Sequence, residues 1–159
     1  MLRMTTLESR FSTWFRWSER ERFEPLSCPG IYAIALSHSS LGGKPFTWRR
    51  EIVCIGMSNA KHGLKGRLRQ FHSTISHVRS QHGPALRFLH AYPDFSKLDN
   101  QLYVAVLHFD CSPKRALSND LRMMGEVVRA EYLCLADYLD KFHCLPRFND
   151  KKNNPKAVW

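Results

Sequence analysis

The sequence predicts an α/β protein of the α+β kind, in which helices flank a small antiparallel sheet of three strands. Three short apolar runs, residues 29–36, 51–56 and 100–109, are rich in β-branched residues and bounded by Gly, Pro or charge, as buried strands are. Long stretches between and after these runs repeat apolar residues at helical spacing. A chain of 159 residues with 43% hydrophobic content is expected to form one compact domain.

The N-terminal segment, residues 1–26, is predicted to be a helical extension that packs on this domain. Four apolar residues follow a Thr cap at helical spacing: Leu7, Phe11, Trp14 and Phe15. We therefore expect an amphipathic helix from Thr5 to about Arg22, with its aromatic stripe against the core. The alternative is that these aromatic side chains are exposed and bind a helix of a partner protein.

The first two strands are predicted to pair as a hairpin, because the connection over residues 37–50 contains a Gly-Gly pair and a proline. In such a pair, one polar side chain from each strand can lie on the same face of the sheet. Here those two side chains are Tyr32 and Cys54.

The later elements are predicted in the order helix, helix, strand, helix. Caps at Ser58-Asn59-Ala60 precede a helix that ends near residue 79, and a short helix is expected over residues 85–91. After the third strand, a long helix runs from Asn119 to Phe142, and a polar tail covers residues 151–159. The buried stripe of the long helix is predicted to comprise Leu121, Met124, Val127 or Val128, Leu135, and Tyr138 or Leu139.

The chain is strongly basic, with a formal net charge of +10 and a pI near 9.7. No Asp or Glu occurs from Ile52 to Pro93, whereas that segment holds many basic residues and histidines: Lys61, Lys65, Arg67, Arg69, Arg79, Arg87, His62, His72, His77, His82 and His90. A contiguous positive surface of this kind favours a polyanionic partner, with nucleic acid first. A solvated basic helix without a partner is the alternative.

Cysteine usage and hydropathy favour a cytoplasmic protein. The five cysteines are odd in number, form no Cys-x-x-Cys pair and lie mostly in apolar segments, as reduced buried thiols do. A zinc site built from Cys144 and histidines has no recognisable spacing. The N-terminal residues lack the apolar region of a signal peptide, and no apolar run is long enough to cross a bilayer, so no membrane partner is expected.

The hairpin strands carry motifs that resemble the paired signature of the GIY-YIG nucleases. Gly30-Ile31-Tyr32 matches the first motif, and Cys54-Ile55-Gly56 is similar to the second, with Cys in place of its tyrosine. Further matches follow downstream in the family's order: Arg67 on the next helix, Glu131 on the last helix, and Asn149 after a proline.

The resemblance implies a metal-dependent DNA endonuclease whose domain spans residues 27–150. It implies that Tyr32 orients the attacking water or takes its proton, which requires a phenol whose pKa is lowered by nearby positive charge. Lys65, Arg67 or His72 would supply that charge. Alternatively, His72 accepts the proton and Tyr32 only positions the water.

Two further roles fit phosphodiester chemistry. A guanidinium keeps its charge and matches phosphate oxygens, so Arg67 suits the negative charge that develops on the phosphate. Glu131 is a hard oxygen ligand for Mg²⁺ or Mn²⁺, with the other ligands from water and phosphate, and no small-molecule cofactor is implied. Asp137 and Glu126 are alternative acids, because the interval from Glu131 to Asn149 is wider than the family's short version.

One departure leaves a second function open. A thiol at Cys54 cannot make the hydrogen bond of a phenol, so we assign Cys54, Gly56 and Asn149 to structural positions near the site. The alternative function is a nucleic-acid-binding module that has the nuclease fold without its chemistry. In both cases the partner is DNA, single- or double-stranded, and five residues are predicted to contact it: Lys61, Lys65, Arg69, Arg79 and Arg87. The sequence leaves the oligomeric state open.

Overall fold

The computed structural model describes residues 6–78 and 82–157, which form a four-stranded antiparallel sheet with helices on both faces. The strands are β1 (Phe15–Arg16), β2 (Gly30–Leu36), β3 (Ile52–Ser58) and β4 (Leu102–His108). The α-helices are α1 (Leu7–Arg10), α2 (Gly63–Ile75), α3 (Gly83–Ala91) and α4 (Ser118–Phe142). Short 3-10 helices span Trp17–Glu19, Phe95–Lys97, Asp99–Gln101 and Arg147–Asn149. The α+β class is confirmed, but the prediction of three strands is wrong.

The additional strand comes from the N-terminal segment, so the long helix expected over residues 5–22 is also wrong. Among the described residues of that segment, only α1 is α-helical, and β1 pairs Phe15 with Val104 of β4. The predicted aromatic side chains do not share one face, because Trp14 packs on one side of the sheet and Phe15 on the other. Pairing with β1 satisfies backbone groups that β4 would otherwise leave free at the sheet edge.

The predicted hairpin of β2 and β3 is confirmed, and β2 lies inside the sheet. The strand order is β1-β4-β2-β3, so β3 is the strand at the opposite edge. Tyr32 in β2 lies opposite Gly56 in β3 and opposite Val106 in β4. One face of the sheet is covered by α4, and the other face is covered by α2 and α3.

The buried face of α4 differs from the predicted stripe. Its buried residues are Asp120, Val127, Ala130, Cys134 and Tyr138. Leu121, which was predicted to be buried, is exposed, as are the alternatives Val128 and Leu139. The reason lies at the start of the helix, where the Asp120 carboxylate accepts hydrogen bonds from the backbone N–H groups of Ser112 and Leu117. This buried cap fixes the helix rotation that directs Leu121 outward.

Within the part of the chain that the structure describes, no helix is both long enough and apolar enough to span a membrane.

Candidate active site

A cleft of about 420 Å³ lies where β2, β3, α2, α3, α4 and the 3-10 helix Arg147–Asn149 meet. The polar and charged residues that line this cleft are Tyr32, Arg67, His82, Arg87, Glu131, Asn149, Lys151 and Lys156. The structure therefore brings together Tyr32, Arg67 and Glu131, which come from three different elements. Gly56 and Asn149 also line this cleft.

The position of the Tyr32 ring depends on the glycine opposite to it. Tyr32 is fully buried, and its ring crosses the neighbouring strand at Gly56. A Cβ atom at Gly56 would collide with the Tyr32 ring and hydroxyl group. Glycine is thus required at this position because it leaves the space that the phenol occupies.

The Tyr32 hydroxyl group forms a hydrogen bond with one side chain and lies near another. Nε2 of His82, the residue that precedes α3, lies 3.3 Å from the Tyr32 oxygen. The Cys54 thiol lies beside the phenol. We assign the hydrogens so that the Tyr32 hydroxyl donates to Nε2 of His82. The remaining ring nitrogen of His82, Nδ1, then carries a hydrogen.

Burial keeps all three of these groups uncharged at neutral pH. Loss of hydration raises the pKa of Cys54 to about 12, and it raises the pKa of Tyr32 well above its usual value. Burial, with a contribution from the charges of Arg67 and Arg87, lowers the pKa of His82 to about 4. The expectation that positive charge lowers the pKa of Tyr32 is therefore wrong, because the effect of burial exceeds that of Arg67. His82 is therefore neutral and has a ring nitrogen free to accept a proton, although the same burial and positive charges make it a weaker base than an exposed histidine.

Arg67 and Glu131 face each other across the cleft from α2 and α4. Nη1 of Arg67 donates to Oε1 of Gln70 at 3.0 Å, which orients the guanidinium. Burial raises the pKa of Glu131, and the charge of Arg67 opposes that change. Among the residues that the structure describes, Glu131 has no hydrogen-bond or ion-pair partner. Its carboxylate oxygens are thus available to a ligand.

The cleft also holds buried cationic and polar groups that lack partners. Arg87 of α3 is only 6% exposed, and within the described residues its Nε makes no hydrogen bond and its guanidinium makes no ion pair. His82 is 7% exposed, and its Nδ1 likewise has no partner there. A buried guanidinium without a counter-charge is costly, since transfer out of water is not offset. An anion bound in the cleft would remove that cost.

Asn149 has a structural role at the rim of the cleft. Its Nδ2 donates to the Ile55 carbonyl oxygen at 2.7 Å, and its Oδ1 accepts from the Ile55 N–H at 2.8 Å. These two bonds hold the segment that follows α4 against the free edge of β3. The adjacent Phe148 is fully buried and packs on Phe88 of α3.

The donor set limits the kind of metal ion that the cleft could hold. The described residues contain no group of three or more His, Cys, Asp or Glu side chains able to hold a metal. A zinc site is therefore not supported, and that includes the site considered around Cys144. The partner-free carboxylate of Glu131 fits Mg²⁺ or Mn²⁺, because these ions accept one protein carboxylate together with water and substrate phosphate.

Several predicted site residues lie elsewhere. Nδ1 of His72 accepts a hydrogen bond from Trp17 Nε1 at 3.0 Å, so His72 belongs to the packing between α2 and the N-terminal segment. Lys61, Lys65 and Arg69 line a separate basic cavity of about 540 Å³. Arg79 lies outside the described residues.

The structure also selects among the three candidate acids. Glu131 lines the cleft, whereas Glu126 and Asp137 are exposed on other faces of α4.

Sequence reasoning missed His82, which it counted among the basic segment's histidines without assigning it a role. Lys151 and Lys156 were also missed, because the tail was interpreted only as a polar segment. The Gly-Pro pair after His82, which begins α3, was the available signal for a fixed position there.

Comparison of the chain with protein-family models, with curated proteins and with solved structures finds no match.

We predict that Gly56→Ala lowers the free energy of unfolding by about 1–3 kcal/mol, because the new methyl group displaces the Tyr32 ring. Chemical denaturation measures this change. Gly42→Ala is the matched control, since a Cβ atom there meets no neighbour and should change stability by less than about 0.5 kcal/mol. Equal stability of the two variants would contradict the packing described for Tyr32.

We predict that the His82 imidazole stays neutral at pH 6 and takes up a proton only as the pH approaches about 4. A histidine in the unfolded chain binds its proton near pH ~6.5. The unfolded state therefore binds more protons between these values, and native stability falls as the pH is lowered through that window. ¹⁵N-resolved NMR titration measures the ring directly. Urea unfolding at pH 7 and pH 5 should show a smaller loss for His82→Gln than for the wild type.

Proposed function

We propose that the protein is a metal-dependent endonuclease that hydrolyses phosphodiester bonds of DNA with a GIY-YIG-type site. The observation that carries the proposal is the convergence of Tyr32, Arg67 and Glu131 on one cleft that also contains Arg87, whose Nε has no hydrogen-bond partner among the described residues. Phosphodiester hydrolysis needs a proton acceptor for the attacking water and positive charge near the phosphate, and a phenol, a carboxylate and two guanidinium groups can supply these functions.

Arg67 and Arg87 bind the scissile phosphate in this mechanism. Both keep their positive charge, and Arg67 is already oriented by Gln70. Negative charge increases on the phosphate oxygens as the attacking water approaches, so fixed cations stabilise the transition state more than the ground state. Lys151 and Lys156 at the rim extend the positive potential toward the neighbouring phosphates.

Tyr32 and His82 activate the water as a pair. The Tyr32 oxygen accepts a proton from the water while the Tyr32 hydroxyl passes its own proton to Nε2 of His82. The phenol thus never carries a full charge, which agrees with its raised pKa. The imidazolium formed on His82 lies beside the phosphate, where its Nδ1–H can donate to an oxygen. The Cys54 thiol lies beside the Tyr32 phenol.

Glu131 is the residue that would hold Mg²⁺ or Mn²⁺. When bound, such an ion supplies positive charge to the phosphate and the leaving oxygen. Glu131 must be ionised to serve as a ligand, and its raised pKa means that acid conditions would remove this capacity sooner than for an exposed glutamate.

The second basic cavity offers a path for DNA beyond the scissile phosphate. Lys61, Lys65 and Arg69 lie on or beside α2, on the opposite side of that helix from Arg67. Residues two positions apart on a helix point in nearly opposite directions, so α2 presents cations on two sides. We assign the three basic residues to non-specific contacts with the DNA backbone.

One observation favours a second candidate function, which is DNA binding without cleavage. The Cys54 thiol is fully buried and its pKa is raised to about 12, so it remains protonated and supplies no second phenol. This candidate predicts salt-dependent binding to DNA and no cleavage with any divalent ion.

We predict that purified protein nicks plasmid or cuts single-stranded DNA with Mg²⁺ or Mn²⁺ and that excess chelator abolishes the reaction. Arg67→Ala, Glu131→Gln and His82→Gln should each lower the cleavage rate by about 10²-fold or more, because each removes a group that acts in the transition state. Gel assays of single-turnover cleavage measure these rates. Asp137→Asn is the matched control for Glu131→Gln, since it neutralises an exposed acid on the same helix.

Two results would overturn this mechanism. Cleavage that is unchanged in Arg67→Ala and Glu131→Gln would remove these residues from the chemistry. Tight DNA binding without cleavage, under every divalent ion tried, would support the binding module instead.

We further predict that the double variant Lys61→Ala/Lys65→Ala weakens DNA binding and reduces the salt dependence of the binding constant. The slope of log K against log salt should fall by about 0.9 for each lysine that contacts a double-strand phosphate. Fluorescence anisotropy over a salt series measures this slope. Lys44→Ala is the control, because Lys44 lies in the connection between β2 and β3, outside both cavities. An unchanged slope would show that DNA does not contact this surface.

A further inference from the structure

Helix α4 carries a second apolar stripe on the side that faces mainly toward solvent. Its six residues are Leu121, Gly125, Val128, Tyr132, Leu135 and Leu139, of which Leu135 is half-buried and also packs against the core. Tyr132 is 69% exposed and Leu121 is 57% exposed, and Val128 and Leu139 are also exposed. The spacing alternates between four and three residues, which is the heptad pattern of a helix that packs along another helix. An exposed apolar face of this length is typical of a protein-binding surface.

Charge argues against DNA as the occupant of this stripe. Five acidic and three basic residues lie on α4, in a chain whose net charge is +10. The helix also covers the face of the sheet opposite to α2, which carries the proposed DNA contacts. The stripe itself has no charged side chain that could pair with a phosphate, whereas an apolar helix can pack on it.

We propose that the occupant is α4 of a second copy of this chain, packed in the antiparallel direction about a twofold axis near residue 130. In that register Leu121 lies opposite Leu139 of the second copy, and Val128 lies opposite Tyr132. Gly125 lies opposite Leu135, and a Cβ atom at Gly125 meets nothing within 4 Å, so the glycine leaves space for the leucine. These three pairs are of the kind that meet in antiparallel coiled coils. The stripe of one copy thus fits against the same stripe of the second copy.

The charges beside the stripe select the antiparallel direction. Arg122 lies in the N-terminal half of α4, and Asp137 and Asp140 lie in its C-terminal half. Antiparallel packing brings Arg122 of one copy beside Asp140 of the other, whereas parallel packing would bring like charges together. Near the axis, Arg129 already pairs with Glu126 of its own helix at 3.5 Å, so the charges that meet there are balanced.

Sedimentation velocity of the full chain tests the proposal. The wild type should sediment as a dimer, with twice the monomer mass of 18.6 kDa, at concentrations between about 1 and 100 µM. Val128→Glu and Tyr132→Glu should each restore the monomer mass without loss of helicity by circular dichroism, because both side chains are exposed in the single chain. Val78→Glu is the matched control, since Val78 is an exposed apolar residue outside α4, and it should remain dimeric.

A charge exchange and a cross-linking experiment test the register. Arg122→Asp and Asp140→Arg should each weaken the dimer, and the double variant should recover it. In a Cys144→Ser background, chains with Leu121→Cys should form a disulfide with chains that carry Leu139→Cys. They should not form one with themselves, because the two copies of residue 121 lie about 27 Å apart along the paired helices.

Three outcomes would overturn the proposal. The first is a wild type that remains monomeric across the concentration range. The second is a dimer that persists in Val128→Glu and Tyr132→Glu. The third is a disulfide between two copies of Leu121→Cys, which would indicate parallel packing.

Discussion

The Tyr32 ring lies across strand β3 at Gly56, and the arrangement of the cleft depends on this contact. Because Gly56 leaves no side chain in the way, the phenol can remain within the sheet and direct its hydroxyl group into the space between α2 and α4. The same contact sets the register of the hairpin, since any other residue of β3 would place a Cβ atom under the ring. His82 then holds the hydroxyl group by a hydrogen bond, and Cys54 lies beside it. The positions of the polar groups in the cleft thus depend on the packing of the Tyr32 ring against Gly56.

The balance of charge in the cleft indicates what it binds. Arg67 and Arg87 contribute two positive charges, Glu131 is the carboxylate opposite to them, and burial keeps Tyr32 and His82 neutral. Folding therefore leaves positive charge in a partly desolvated space, where it interacts more strongly with an anion than it would in water. This excess of positive charge, more than any one residue, favours a phosphodiester as the ligand.

Periodic elements could be predicted from the sequence, whereas features that arise from tertiary contacts could not. The hairpin and α4 have long patterns of their own, but β1 has two residues and exists only because β4 offers a free edge. His82 acquires its role when α3 folds back over Tyr32, which no spacing in the chain encodes. The sequence could have predicted that Lys65 and Arg67 lie on different sides of α2, because positions two apart on a helix point in different directions. Tyr32, Arg67 and Glu131 line one cleft, and each stands at a fixed place on a regular element, which is why motif positions in the sequence can bring them to the same site.

The contact between Asn149 and strand β3 has a consequence for how copies of this protein can associate. Both backbone hydrogen-bonding groups of Ile55 are already used by one amide side chain, so the outer edge of β3 is sealed at its centre. At the other edge of the sheet, β1 covers part of β4. Neither border offers a long free template on which a foreign strand could extend the sheet, and this protects the protein against amyloid-like growth through its strands.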